Sequence, residues 1–302
     1  RITNGDLVLT TDATRGTDAN RISSATAFSA FAMYKFKYKN LTLTPGLRYE
    51  KIELQRENYG TDDPFRSGSE LSRRENKVDV FIPGIGFNYK FNNLISVFGG
   101  VHKGFSPPGN EEGQKPEESI NYELGSRFSI NGLSGELIGF YNDYSNLLGS
   151  DLAASGGTGT LDMFNAGEVS VRGLELLLNY DILSKNDNIS LPINLGYTYT
   201  DTEFLNSFGS DDDIWGTVTE GDEIPYIAKH QLNLGITLEH NKYQIALNGR
   251  YNGAFRTVSG TGSIPDDQKV DSAIVLDLST RYNFTKKLSV TGNIINLLDN
   301  TY

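Results

Sequence analysis

The sequence predicts a transmembrane antiparallel β-barrel, of which this chain would be a part. Three observations predict it: apolar and polar residues alternate over segments of about ten residues or more, the connections between segments alternate between short and long, and aromatic residues gather beside the short ones. Strands of soluble proteins are typically only about five or six residues long. A soluble sandwich also shows turn signals every 8 to 12 residues or so. Here the polar faces run as long as the apolar faces opposite them, which suits lipid on one side and a wet interior on the other.

The elements follow in order. The first segment puts Phe28, Ala30, Ala32, Tyr34, Phe36 and Tyr38 on one face, and after a Lys39-Asn40 turn the next sets Leu41, Leu43, Leu47 and Tyr49 against Thr42, Thr44, Arg48 and Glu50. Together they read as a hairpin. Phe81, Ile85, Phe87, Tyr89 and Phe91 make the third strand, and Ile95, Val97 and Val101 the fourth. Ile120, Tyr122, Leu124, Phe128 and Ile130 define the fifth, with Asn121, Glu123, Gly125 and Arg127 between them, and Leu133 to about Leu147 the sixth. Leu174 to Tyr180, Leu191 to Tyr199, Leu232 to Leu238 and Tyr243 to Tyr251 supply four more. The final pair holds Ile274, Leu276, Leu278 and Tyr282, then Leu288, Val290 and Ile294, for about twelve strands in all.

The links "KN", "NN", "NGL", "LSKNDN", "HNK" and "FTKK" are short, while those near 57–77, 104–118, 148–163, 201–226 and 254–272 are long and rich in Gly, Asp and Ser. Tyr34, Phe36, Tyr38, Phe87, Tyr89, Phe91, Tyr180, Tyr282 and Phe284 cluster beside the short links, as an interfacial girdle requires. Short turns therefore mark the periplasmic end. On this topology both ends of the chain lie at the outer side. Barrels of this kind close with an even strand number and cannot leave an edge in hydrocarbon, so at least one strand is expected beyond each end.

Composition removes several classes. Among 302 residues there is no cysteine, which excludes disulfides, thiolate nucleophiles and cysteine metal clusters. A formal charge of -11 with scattered lysines and arginines argues against nucleic acid. No run of about 18 apolar residues exists, so a transmembrane helix is excluded, while a mean hydropathy of -0.38 says nothing about strands. The opening stretch to Asn20 reads as a polar loop and not as an export signal.

Six stretches are more specific than a period: "HKGFSPP" from His102, "KPEESINYELGSR" from Lys115, "GFYNDYSNLLG" from Gly139, "NAGEVSVRGLEL" from Asn165, "IPYIAKHQLNLG" from Ile224 and "NIINLLDNTY" from Asn293. In order and spacing the chain resembles the barrel of TonB-dependent outer-membrane receptors, most closely the ferric dicitrate branch. The resemblance implies a 22-stranded barrel filled by an N-terminal plug, with residues 1–302 supplying about the tenth to the twenty-first strand. The plug, the TonB box and the final strand would lie outside this chain. It further implies import of an iron chelate, ferric citrate or another ferric siderophore, driven by the TonB-ExbB-ExbD system acting through the plug. The expected surroundings are outer-membrane lipid and lipopolysaccharide, and no cofactor is expected.

An iron chelate is polar and often anionic, so its receptor wants Arg, Lys, Gln and Asn projecting into the lumen near the outer mouth, with Arg offering a planar fork to carboxylates. The candidates are Arg250, Lys103, Asn252 and Arg256. Glu123, Arg127, Arg172, Glu175 and Arg281 are read as inward-facing at mid-strand or below, where a plug would dock. Asp211, Asp212 and Asp213 lack the glycine and glutamate of a calcium loop and read as a solvated loop tip. His102, His230 and His240 stand apart, and Gly156 to Gly159 has no following lysine, so neither a metal site nor a phosphate cradle nor a catalytic constellation is expected. The competing functions are uptake of cobalamin or an oligosaccharide by the same machinery, a passive porin or adhesin, and a membrane-embedded hydrolase. A plug and TonB box upstream in the gene would discriminate against the porin, and the histidine placement disfavours the hydrolase.

Overall fold

A computed structural model describes residues 2–3, 6–7, 20–110, 112–150, 163–165, 167–183, 188–209 and 217–301. Asp211, Asp212, Asp213 and the Gly156–Gly159 stretch lie outside these residues. The twelve expected strands are present: β1 (Arg21–Met33), β2 (Leu41–Asn58), β3 (Ser72–Lys90), β4 (Ile95–Ser106), β5 (Glu117–Ile130), β6 (Leu133–Ser145), β7 (Val169–Asp181), β8 (Pro192–Phe204), β9 (His230–His240), β10 (Tyr243–Asn252), β11 (Ala273–Thr285) and β12 (Leu288–Ile294). Each pairs antiparallel with the next, giving one continuous meander in sequence order from β1 to β12. The short pieces Phe36–Tyr38 and Ile189–Ser190 pair with β2 and β9, and the described residues contain a single 3-10 turn, Asp266–Gln268.

The first expected segment is broken because of one proline. Pro45 sits in β2 opposite Tyr34, between the paired residues Met33 and Gly46 on one side and Phe36 and Leu43 on the other. Tyr34 N–H donates to the Pro45 carbonyl at 3.0 Å, but Pro45 has no N–H to return, so the ladder lapses there and resumes in the same register.

The register carries the facing assignment across the sheet. Leu41, Tyr89, Val97, Ser126, Leu137, Leu176, Tyr197, Leu232, Tyr251 and Ile274 occupy one unbroken row of paired positions. The row starts beside a short turn at Leu41 and by Tyr251 on β10, eight residues up from Tyr243, it lies beside a long connection, so the strands are inclined to the membrane normal. A climb of about 26 Å across eight strand spacings of about 4.8 Å corresponds to a tilt of about 35°, the value closed barrels demand.

The apolar set is not pressed against a second sheet. Leu124 is 60% exposed, and Phe28, Phe81, Ile85, Leu174 and Val290 are likewise exposed. Among the described residues the one cluster of fully buried hydrophobics is Val169, Phe204 and Val218, packed by Tyr144, Leu147 and Ile224 where the long connections fold back. Such a surface suits acyl chains. At the short-turn end Tyr89 meets Phe91 at 5.0 Å and Tyr282 meets Phe284 at 4.8 Å. A second girdle, missed in the sequence, lies toward the other end, where Tyr49 meets Phe81 at 5.0 Å and Tyr122 meets Tyr141 at 6.2 Å.

Beyond this second girdle β2 and β3 exchange polarities. Their lipid-side positions become Lys51, Glu53, Lys77 and Asp79, and their inner positions become Ile52, Val78 and Val80, all buried. Asn76, on the same inner side, donates to the carbonyls of Gly109 and Gln114, which draws those two residues over this face. At the tip, Asp63 accepts from Ser67 N–H and Gly68 N–H, both at 2.7 Å, and from the Ser67 hydroxyl. Burial opposes ionisation of this carboxyl, but those donors together hold it below the usual carboxylate range. Its stabilisation of the tip is therefore present above the unfolded value near 3.9 and is lost as pH falls through the folded value. Protection factors for the Ser67 and Gly68 amides should fall on acidification below about pH 4, and Asp63→Asn should lower them already at pH 7.

Candidate ligand site on the lumenal wall

On β9, β10 and β11 the positions facing away from lipid are Gln231 and Asn233, then Arg250 and Asn252, then Val275 and Asp277, brought side by side by the pairings Gln231–Asn252 and Asn233–Arg250. Above them the chain pairs Phe255–Arg256 with Lys269–Val270, and this short ribbon lays Phe255 and Val270 over the wall. The result is a pocket of about 400 Å³ lined by Gln231, Asn233, Arg250, Asn252, Phe255 and Asp271 among others. Arg250 Nη2 donates to Asp277 Oδ2 at 3.2 Å, and Asp277 Oδ1 accepts from Asn296 N–H at 2.9 Å. Chemically the pocket offers primary amides and one guanidinium already facing a carboxylate, roofed by two apolar side chains. Such a wall can orient a polar, oxygen-rich ligand.

Arg256 stands behind this pocket and not in it. Its side chain is 3% exposed, and its Nε donates to Glu223 Oε2 at 3.1 Å. Glu223 also pairs with Lys229 Nζ at 2.8 Å, and its N–H donates to the Gly260 carbonyl. The hydrogen bond to Glu223 is the foremost reason that the Lys229 ammonium is held above its ordinary range, with burial opposing and Asp201 assisting. Glu223 thus ties the 217–229 stretch to the 253–272 connection.

Two expectations about facing are corrected by the register. Lys103 follows Val101 by two positions and pairs with Ile120, so it lies on the lipid-side face, where it meets Glu118 at 2.7 Å. Arg172 precedes Leu174 by two and pairs with Asp201, so it also points outward and not toward a plug. Its partners are Asp201 at 2.8 Å and Glu203 at 3.7 Å. Both residues stand where the outward face has turned charged. Glu123, Arg127, Glu175 and Arg281 do face the lumen. Arg127 pairs with Glu136 and lies over the Phe98 ring at 3.9 Å. Glu123, Glu175 and Arg281 are exposed and make no ion pair among the described residues. Of the histidines, His230 is outward and its Nδ1 lies 2.8 Å from the Tyr197 hydroxyl, while His240 stacks on Tyr243 at 4.7 Å.

Sequence reasoning missed Gln231, Asn233, Phe255 and Asp271. The first two were legible, since they alternate with Leu232 and Leu234; the others depend on how the connection folds back.

Residues 2–297 match the family described as TonB dependent receptor-like, beta-barrel. The chain is 25% identical over 313 aligned residues to the ferrienterobactin receptor of Escherichia coli K12, covering 95% of this chain and 38% of that protein. It is 24% identical to the probable TonB-dependent siderophore receptor PiuA of Acinetobacter baumannii, covering 87% of this chain and 36% of that one. The crystal structure of PiuA superposes with a TM-score of 0.71 at 21% identity over 93% of this chain and 40% of that chain. That of the ferric citrate transporter FecA, unliganded, gives 0.72 at 19% identity, over 93% of this chain and 42% of that one. The chain therefore spans about two fifths of the length of these relatives. With a continuous twelve-strand meander matched along almost its whole length, the chain belongs to the TonB-dependent receptors and forms part of their outer-membrane β-barrel.

Proposed function

We propose that the full-length receptor imports a ferric chelate across the outer membrane with energy delivered through TonB, and that the pocket on β9–β11 is one wall of its binding site. The observation that carries this reading is the lumenal convergence of Arg250, Asn252, Gln231 and Asn233 under Phe255, in a barrel whose relatives are named as ferric siderophore and ferric citrate receptors. Arg250 would turn its fork from Asp277 to a carboxylate of the cargo, while the amides hold oxygen atoms that bear no charge. Asn252 belongs to this set. Arg256 serves it indirectly, by holding the ribbon that carries Phe255.

Growth with ferric citrate or a ferric siderophore as sole iron source, with and without the gene, tests the import; undiminished growth of the deletion removes it. Arg250→Ala in the full-length receptor should raise the chelate Kd about tenfold, and Arg250→Lys should recover only part, because an ammonium keeps the charge and loses the fork. A neutral oligosaccharide is the second reading, favoured by the amide-rich wall and by the carboxylate already beside Arg250. For that cargo Arg250→Ala would leave the affinity unchanged.

A further inference from the structure

Among the described residues, each cation at the lumenal pocket brings a carboxylate with it. Arg250 lies 3.2 Å from Asp277, Lys269 on the ribbon lies 2.7 Å from Asp271, and Arg256 behind the pocket is held by Glu223. Arg250 and Asp271 are the charged side chains of the lining itself. A site shaped for a free polycarboxylate would carry cations in excess. Here the two signs balance.

Asp277 is also fixed in place. The β11–β12 register, with Leu278 opposite Ile294, would bring Asn296 opposite Leu276, yet it is Leu297 N–H that donates to the Leu276 carbonyl, at 2.6 Å. The chain therefore bulges at this point. Asn296, at φ +53°, turns its N–H onto Asp277 Oδ1, and its carboxamide closes the bulge, with Nδ2 donating to the Asn300 carbonyl at 2.9 Å and Oδ1 accepting from Asn300 N–H at 3.2 Å. Asn300 Nδ2 in turn donates to the Ile274 carbonyl at 2.8 Å. When Arg250 turns to a cargo, Asp277 keeps its bond to Asn296 and stays beside it. A cargo carboxylate that reaches the guanidinium thus meets a stationary negative charge as well.

We infer that Asp277 makes this site select a metal-loaded carboxylate chelator over the same acid without its metal. The inference rests on the reading of the pocket as a ferric-chelate site. Ferric iron cancels much of the charge of the carboxylates it holds, so per ligand the chelate is less anionic than the free acid, and a fixed carboxylate repels it less. Arg250 attracts both forms, and Asp277 supplies the difference. A receptor built this way is not blocked by unloaded chelator present in excess.

The test measures Kd for ferric dicitrate and for citrate alone in the full-length receptor, with the heat-dependent shift in gel mobility confirming that each variant is folded. Asp277→Asn keeps an acceptor for Asn296 N–H and loses the charge. Its preference for ferric dicitrate over citrate should fall about fivefold, chiefly because citrate binds more tightly, and the change should shrink in about 0.5 M salt. A preference unchanged by Asp277→Asn, a change of the same size at high salt, or a wild-type receptor that binds ferric dicitrate no better than citrate would overturn the selector. An Arg250→Ala variant with undiminished affinity for ferric dicitrate would instead overturn the chelate reading on which it rests.

Discussion

Leu234→Arg should destabilise the barrel in lipid by about 2 to 4 kcal/mol, whereas Asn248→Arg should cost little. The two positions lie on neighbouring strands and differ in face. Leu234 pairs with Leu195 on one side and Gly249 on the other, within the lipid-facing set between the Tyr243 and Tyr251 levels, so its replacement places a guanidinium in hydrocarbon. Asn248 pairs with Asp277, so an arginine there enters the lumen beside a carboxylate. Urea titration of the refolded receptor in phosphocholine vesicles, read by tryptophan fluorescence or gel mobility, measures both. Equal losses would mean that the two faces are exchanged or equivalent.

Glu223→Ala is the second large effect, expected at about 3 to 5 kcal/mol in the local stability of the outer connections and not in that of the barrel. Removing this carboxylate takes the counter-charge from the Arg256 guanidinium, which is nearly inaccessible to water and keeps only its hydrogen bond to the Gly262 carbonyl, and takes one of two partners from Lys229. A buried cation without a partner is worse than no cation. Proteolysis within 217–229 and 253–272 should therefore accelerate sharply in Glu223→Ala, while the double variant Glu223→Leu with Arg256→Met should recover much of the resistance. Cleavage of Glu223→Ala at the wild-type rate would show that the pair does not hold these connections together.

All twelve strands were legible because each strand position meets one environment along the whole membrane depth, and a period of two records it. Lys103 and Arg172 were read to the wrong side for a related reason. A charged residue in a strand suggests the lumen, yet the outward face itself becomes charged past the second girdle, where parity with Val101 and Leu174 is the safer guide. Arg172 and Glu175 are three positions apart, so they could never have shared a face. The lumenal phenyls were hidden differently: Phe140 beside Tyr141 puts aromatics on both faces, which blurs alternation and looks like noise. Contacts such as Arg256 with Glu223, separated by 33 residues, leave no local pattern.

The exchange of polarity at the top of β2 and β3 has a consequence outside the bilayer. With Ile52, Val78 and Val80 sheltered inward and ionic groups turned to the medium, this hairpin is built like a piece of a water-soluble protein and stands above the lipid as a stiff post. Anything arriving from the medium meets a pre-shaped surface there. Docking against it forfeits little chain freedom, so modest contacts suffice for capture.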